Sequence, residues 1–346
     1  MKTLIKRLNK QTNEIPVFFA TDDNYMPFLV VTLESITRNM NKNFNYIFYI
    51  LNHGISDKYK ALVEKYNTTN SKVVFVNIAE KLAKTGNLLH TRDYYSKTTY
   101  YRLFIPTMFP EYDKALYLDC DIAVNGDISE LYNKDLGTNL LGAVTEQAVM
   151  ETPEFLAYAT DFLGIKKGNY FNAGILLMNL NELRKMNFEQ KFINLLSSFT
   201  FNVAQDQDYL NVICAGRVTY LEHSWNKSPI TSEGLTSETV KLAHYILSFK
   251  PWHHDNILFG DLFWKYAELA GVKEMITEIK NNYTEEQKAN EAVCGARLIK
   301  IADYQSKLDV KFKDLMENGE IDKNTYLKVD RKTNLMEKLL KLMNLA

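Results

Sequence analysis

Lys114-Ala-Leu-Tyr-Leu-Asp-Cys-Asp121 is the stretch on which the reading of this chain turns. Residues 114–118 form an apolar run of strand length, and the run stops at two carboxylates, Asp119 and Asp121. In extended chain, residues two apart point to the same side, so these carboxylates converge on one point. Brought close, they repel unless a positive charge lies between them. A hard divalent cation, Mn²⁺ or Mg²⁺, with oxygens of a bound phosphate completing its shell, meets that need most simply. The pair also stands where ligands of open α/β sheets bind, at the carboxyl end of a strand.

Outward from this stretch, strand-like and helix-like patterns alternate. Residues 15–20, 45–51 and 72–77 read as strands before 114–118, and 139–144, 174–178 and 241–247 as strands after it. Helical spacing falls at 29–40, at 56–66 behind Ser56 as an N-terminal cap, and at 98–109 ahead of Pro110. The alternation predicts an α/β fold with a mostly parallel sheet covered on both faces. Beyond about residue 255 the pattern becomes helical, at 262–270 and 285–308. In the tail, Leu335, Leu339, Leu342 and Met343 make an apolar stripe beside Lys338 and Lys341. Such a helix suits packing on its own domain or a sister subunit, or a peripheral membrane contact through residues 333–346.

Composition narrows the class. A formal net charge of −1, from 41 basic and 42 acidic residues, gives no support to a nucleic-acid-binding surface. With 21 Tyr and 19 Phe against 14 Gly and 7 Pro, a low-complexity chain is excluded. Cys120, Cys214 and Cys294 are odd in number and widely spaced, which fits neither a disulfide framework nor a zinc finger and favours a reducing cytoplasm. No run reaches the ~18 apolar residues of a membrane span, and the amino terminus lacks the apolar stretch of a signal peptide. The expectation is a soluble, cytoplasmic protein, at the inner face of the membrane if the tail binds lipid.

Six blocks in order carry a family resemblance: Phe19-Ala-Thr-Asp-Asp-Asn-Tyr25, Thr98-Thr-Tyr-Tyr-Arg102, Leu116-Tyr-Leu-Asp-Cys-Asp121, Tyr170-Phe-Asn-Ala-Gly174, Asp206-Gln-Asp-Tyr-Leu-Asn211 and His244-Tyr…Lys250-Pro-Trp252. On these the chain resembles glycosyltransferase family 8, and is similar to bacterial lipopolysaccharide galactosyl- and glucosyltransferases and, more distantly, to glycogenin. The resemblance covers about residues 15–255. It implies a GT-A-type, Rossmann-like nucleotide-sugar-binding domain over residues 1–255, with a helical, acceptor- or membrane-associated region over 256–346. It also implies Mn²⁺, with Mg²⁺ as the alternative, a UDP-hexose donor and transfer with retention of anomeric configuration.

The resemblance assigns roles residue by residue. Asp119, Asp121 and His244 are its cation ligands. Ala20, Thr21, Asp22, Asp23 and Asn24 hold the base and ribose, and Tyr25 stacks on uracil. Leu118 and Cys120 belong to the same donor site, and Lys250 meets the diphosphate. Relatives commonly carry a glycine after this histidine. Here the loop reads Ile246-Leu-Ser-Phe249, and Ser248 is the replacement donor. Arg102 contacts the donor sugar and the carboxylates, while Glu146, Asn172, Asp206 and Gln207 complete the sugar pocket. Glu146 stands where relatives tend to have aspartate.

Plainer readings stay open on the residues alone. Asp22 to Asn24 suit a helix cap, Arg102 an exposed helix arginine, and Asp206 to Asp208 the acidic first turn of a helix. For the chemistry, front-face attack with Gln207 stabilising positive charge is favoured, and Asp208 is the fallback nucleophile. Two alternatives keep the fold: a metal-dependent nucleotide-sugar hydrolase or nucleotidyltransferase, and a non-catalytic carbohydrate-binding protein. A nucleotidyltransferase would more naturally carry an amino-terminal Gly-rich phosphate loop, and none is present.

Overall fold

The computed structural model describes residues 13–85 and 97–329. Strands among the described residues are β1 Glu14–Ala20, β2 Asn45–Asn52, β3 Ser71–Asn77, β4 Lys114–Leu118, β5 Ile122–Val124, β6 Leu141–Ala143, β7 Ile175–Asn179, β8 Val218–Tyr220 and β9 Leu242–His244. One sheet has the order β3-β2-β1-β4-β7-β6-β8, and β5 pairs with β9 in a second. β1 to β4 run parallel to one another, as do β6 and β8, whereas β7 is antiparallel to both neighbours. The expected mostly parallel α/β sheet is therefore present, with one reversed strand. An apolar run such as Ile175–Met178 reads the same in either direction, so its sense was not legible.

Alternation across the pleat divides the core in two. Phe18, Tyr117, Leu176 and Met178 face one apolar layer. Val17, Phe19, Leu116, Leu118, Ile175 and Leu177 face the other. Both faces are covered, which is why β1 is apolar at every interior position and not at every second one.

The reversal of β7 builds the site. Its first residue, Ile175, pairs with Leu118, the last residue of β4. Asn172-Ala-Gly174, just before β7, therefore meets Asp119, just after β4, and Asp119 N donates to Gly174 O at 2.8 Å. The second sheet adds the distant histidine, because β5 and β9 pair with Ile122 opposite His244. Tyr245 N donates to Asp121 O at 3.0 Å, closing the junction.

Several local expectations change. Residues 98–109 form a 3₁₀ helix, Lys97–Phe104, and then one α turn, Ile105–Met108, with proline at its start. Pro106 has no N–H to continue a regular ladder, so the chain changes pitch there. Ser56 does occupy the cap position before Asp57–Val63, but its hydroxyl makes no cap bond and is buried without a partner. The strands expected at 139–144 and 241–247 shorten to β6 and β9.

Four helices matter below: α1 Met26–Asn39, α2 Gln205–Ile213, α3 Gly260–Leu269 and α4 Glu285–Ser306. α3 packs on α1, with Tyr266 OH 2.7 Å from Asn39 Nδ2. α4 begins in a capping box at Thr284 and Gln287 and buries Leu298 and Ala302. His254 Nε2 lies 2.7 Å from Glu291 Oε2 on α4, and His253 stacks on Tyr283 at 3.7 Å. The amphipathic tail at 333–346 lies outside the described residues. No helix among the described residues is long and apolar enough to cross a membrane.

Candidate active site

The carboxyl ends of β1, β4 and β6 and the start of β7 open onto one cavity of about 480 Å³. That size suits a small-molecule ligand. Ala20, Asp22, Asn24 and Tyr25 line it. Asp22 Oδ1 accepts from Asn24 N at 3.0 Å and Tyr25 N at 3.3 Å, a side-chain turn that shapes the loop ahead of α1. Tyr25 is 37% exposed, and its ring meets the Phe28 ring edge-on at 5.4 Å. Thr21 and Asp23 do not line the cavity. Thr21 is buried, and Asp23 Oδ1 accepts from Ser56 N at 2.9 Å, which ties the loop to its neighbour.

Asp119, Asp121 and His244 each offer a ligand atom within 4.8 Å of one another. Among the described residues they are the one such group. His244 Nε2 lies 3.3 Å from Asp121 Oδ1 and 3.8 Å from Asp119 Oδ2. Asp121 Oδ1 is buried and accepts no hydrogen bond. A donorless carboxylate oxygen facing a ring nitrogen is a fit for a divalent cation, and a mixed oxygen and nitrogen set suits Mn²⁺ at least as well as Mg²⁺. Gly174 leaves room for this convergence: a Cβ there would lie 2.6 Å from Asp119 Oδ2 and closer still to the His244 ring. Behind the ring, His244 Nδ1 is 2.9 Å from Asn226 Oδ1.

Two cations balance the carboxylates. Lys250 Nζ is 2.5 Å from Asp121 Oδ2 and also donates to Tyr245 O. Burial pushes the Asp121 carboxyl upward, but the Lys250 ammonium opposes it and the group is held well below the usual carboxylate range. Arg102 is buried, not the exposed helix arginine that its position allowed. Its NH1 is 3.3 Å from Asp119 Oδ1, its Nε donates to Thr99 O at 2.8 Å, and NH1 donates to Ala173 O. The guanidinium lies 4.4 Å from the centre of the Tyr117 ring, whose hydroxyl donates to Asp119 Oδ1 at 2.8 Å. Asp206 Oδ2 is 3.0 Å from Arg102 Nε, yet that N–H points at Thr99 O. Burial accordingly pushes the Asp206 carboxyl up, to about 6, with Arg102 opposing.

The sugar-pocket candidates meet on the other side of Gly174. Asn172 Nδ2 donates to Glu146 Oε2, and Glu146 Oε1 accepts from Ala148 N at 3.2 Å. Gln207 Oε1 accepts from Ala173 N at 2.9 Å. Glu146, Asn172, Asp206 and Gln207 all line the cavity, as do Arg102, Asp119, Cys120, Asp121, His244 and Lys250. Burial, then the two aspartates, push the Cys120 thiol well above its usual range and keep it neutral.

Beside Thr21 and Asp23, three more expected residues are placed elsewhere. Leu118 belongs wholly to the apolar core. Asp208 sits in the first turn of α2 with no exposure and does not line the cavity. Its oxygens accept from Tyr170 OH at 2.6 Å, Tyr158 OH at 2.9 Å and Ala204 N at 2.8 Å, so it is engaged as a scaffold carboxylate. Ser248 does not line the cavity either; Leu247 does, at φ +48°. The glycine-free loop therefore does enter the left-handed region, through a leucine. The sequence reading missed Asn226, the close approach at Gly174 and the role of Leu247. Asn226 stands outside every motif block and only the pairing around β9 brings it in.

The comparisons agree with this fold. Residues 16–256 match the family model for glycosyl transferase family 8. A Haemophilus influenzae protein is 33% identical over 263 residues, covering 72% of this chain and 77% of its own. The lipopolysaccharide 1,2-glucosyltransferase of Escherichia coli K12 is 28% identical over 278 residues, covering 75% of this chain and 79% of that protein. Among solved structures, the galactosyltransferase LgtC in complex with donor and acceptor sugar analogues superposes with a TM-score of 0.59 at 29% identity. That match covers 74% of this chain and 95% of LgtC. The fold and site define a GT-A-type glycosyltransferase domain. The chain belongs to glycosyltransferase family 8.

Proposed function

We propose that this chain moves a hexose, glucose or galactose, from UDP to a hydroxyl of a glycan, glycolipid or glycoprotein acceptor, with retention and with a divalent cation, Mn²⁺ before Mg²⁺. The observation that carries this reading is the meeting of Asp119, Asp121 and His244 with Lys250 at one end of the cavity. Asp119, Asp121 and His244 would hold the cation, which when bound supplies Lewis acidity toward a diphosphate leaving group. Lys250 adds a buried positive charge beside those ligands, suited to offset the charge on departing UDP. Tyr25, on the cavity wall, offers an aromatic ring to uracil, and Asp22 and Asn24 offer polar groups to the nucleoside.

Glu146 and Asn172, buried and polar, suit hydroxyl recognition, since an epimer that leaves them unpaired is disfavoured. Gln207 Oε1 keeps a second lone pair beside its bond to Ala173 N, and can stabilise positive charge as it develops on the sugar. The engagement of Asp208 by two tyrosines supports front-face attack over a double displacement through that residue. The name of the lipopolysaccharide glucosyltransferase supports a cell-surface glycan as acceptor, and the sugar analogues in the LgtC complex support a carbohydrate donor and acceptor.

UDP binding tests the site directly. Calorimetry is expected to show affinity that needs Mn²⁺, is lost with chelator and falls at least ~10-fold in Asp121→Ala. Gln207→Ala is expected to bind UDP as wild type does while transferring sugar far more slowly. UDP binding that is indifferent to the cation would contradict the proposal.

A further inference from the structure

We propose that Asn226 sets the tautomer of His244, holding the ring proton on Nδ1 so that Nε2 offers its lone pair toward Asp119 and Asp121. The chain of reasoning starts from a group whose polarity is fixed. The backbone N–H of Gly174 can only donate, and it meets Asn172 at 2.8 Å, so the atom it meets is Oδ1. Asn172 Nδ2 then faces the carboxylate of Glu146, which can only accept while ionised. Asn226 approaches the same Asn172 Oδ1 at 2.9 Å, so it must present Nδ2. Its Oδ1 is left facing His244 Nδ1 at 2.9 Å, and an amide oxygen only accepts. Nδ1 must carry the proton.

This ordering works against the immediate surroundings of the ring. Nε2 lies 3.3 Å from Asp121 Oδ1, a buried carboxylate oxygen without a donor. An imidazole left to that environment would place its proton on Nε2 and hide the lone pair a cation needs. Asn226 is buried and, unlike Glu146, Asn172 and His244, does not line the cavity, so its bond to Nδ1 is shielded from the cavity and acts in a low dielectric. The segment is also strapped in place: Lys227 N donates to Leu242 O and His244 N to Lys227 O, both at 2.9 Å. Asn226 is thus a positioning residue, and Glu146 gains a second role as the terminus that orients Asn172. The consequence for cation binding rests on the cation site proposed above; the tautomer itself does not.

Nitrogen NMR of the full-length, metal-free chain labelled with ¹⁵N-histidine tests this at mildly alkaline pH, with the His244 signals assigned by their loss in His244→Gln. Wild type is expected to show a protonated Nδ1 and a bare Nε2. Asn226→Leu, which keeps size but no acceptor, is expected to move the proton to Nε2 and weaken Mn²⁺ binding, read by electron paramagnetic resonance, by ~10–100-fold. Asn226→Asp keeps an acceptor and should retain the Nδ1–H tautomer. A wild-type spectrum with the proton on Nε2 would overturn the proposal whether or not the variants fold. So would Asn226→Leu with an unchanged tautomer. A wild-type chain that shows Nδ1–H but takes up no Mn²⁺ would sink the cation site and leave the role of Asn226 standing.

Discussion

Asp119 and Asp121 stand two residues apart, yet different partners hold them: Arg102 and the neutral Tyr117 hydroxyl reach the first, Lys250 the second. The period of two in extended chain made their convergence readable, because it depends on nothing beyond the strand itself. Their partners lie far along the chain, so the residues alone could not separate a buried Arg102 from an exposed one. Leu247 shows the same limit from the other side. A missing glycine is visible in the sequence, but not whether another residue will bear the conformation in its place. At φ +48° a leucine costs about 1–2 kcal/mol in crowding of its Cβ. Leu247→Gly should therefore be more stable than Leu247→Ala by about 1 kcal/mol in urea unfolding, the reverse of the usual order of these residues. An alanine variant as stable as the glycine variant would show that no strain is stored there.

Among elements, the short ones carry the function. β1, β2 and β4 were legible because long apolar runs with β-branched and aromatic residues have few other uses. β5 and β8 have three residues each, too few for any pattern to stand out, and β9 is a short part of the strand expected at 241–247, yet the β5–β9 pairing sets His244 beside Asp121. Helix α4 was legible from the helical pattern at 285–308, but not its capping box or what fastens it. Its Glu291 is held by His254, and α4 sends Leu298 into the wall of the cavity. Burial pushes the Glu291 carboxyl up, but His253 and His254 more than reverse this and lower it. A lowered carboxyl stabilises the fold above the ordinary carboxylate range, and that contribution is lost as pH falls through the folded value. Glu291→Gln should raise hydrogen exchange across α4 at neutral pH, and the difference from wild type should shrink at acid pH. Equal exchange in both at neutral pH would remove the clasp.

At the scale of the molecule, one sheet edge gathers what the chain scatters. The loop after β1, the aspartates after β4, Glu146 after β6 and the Asn172–Gly174 turn before the reversed β7 all open on one cavity. That gathering explains why six weak motif blocks in order could carry a strong reading: each supplies residues that line the same cavity. The far wall of the cavity had no comparable signal, since residues such as Leu298 lie beyond the matched residues 16–256 and outside every motif block. The most direct measurement is UDP release from a panel of UDP-sugars, with Mn²⁺ and with chelator, beside an Asp121→Ala control. Release from UDP-glucose or UDP-galactose that requires the cation and vanishes in the variant is the expected result. Release that persists in chelator and in Asp121→Ala would contradict a transferase built on Asp119, Asp121 and His244.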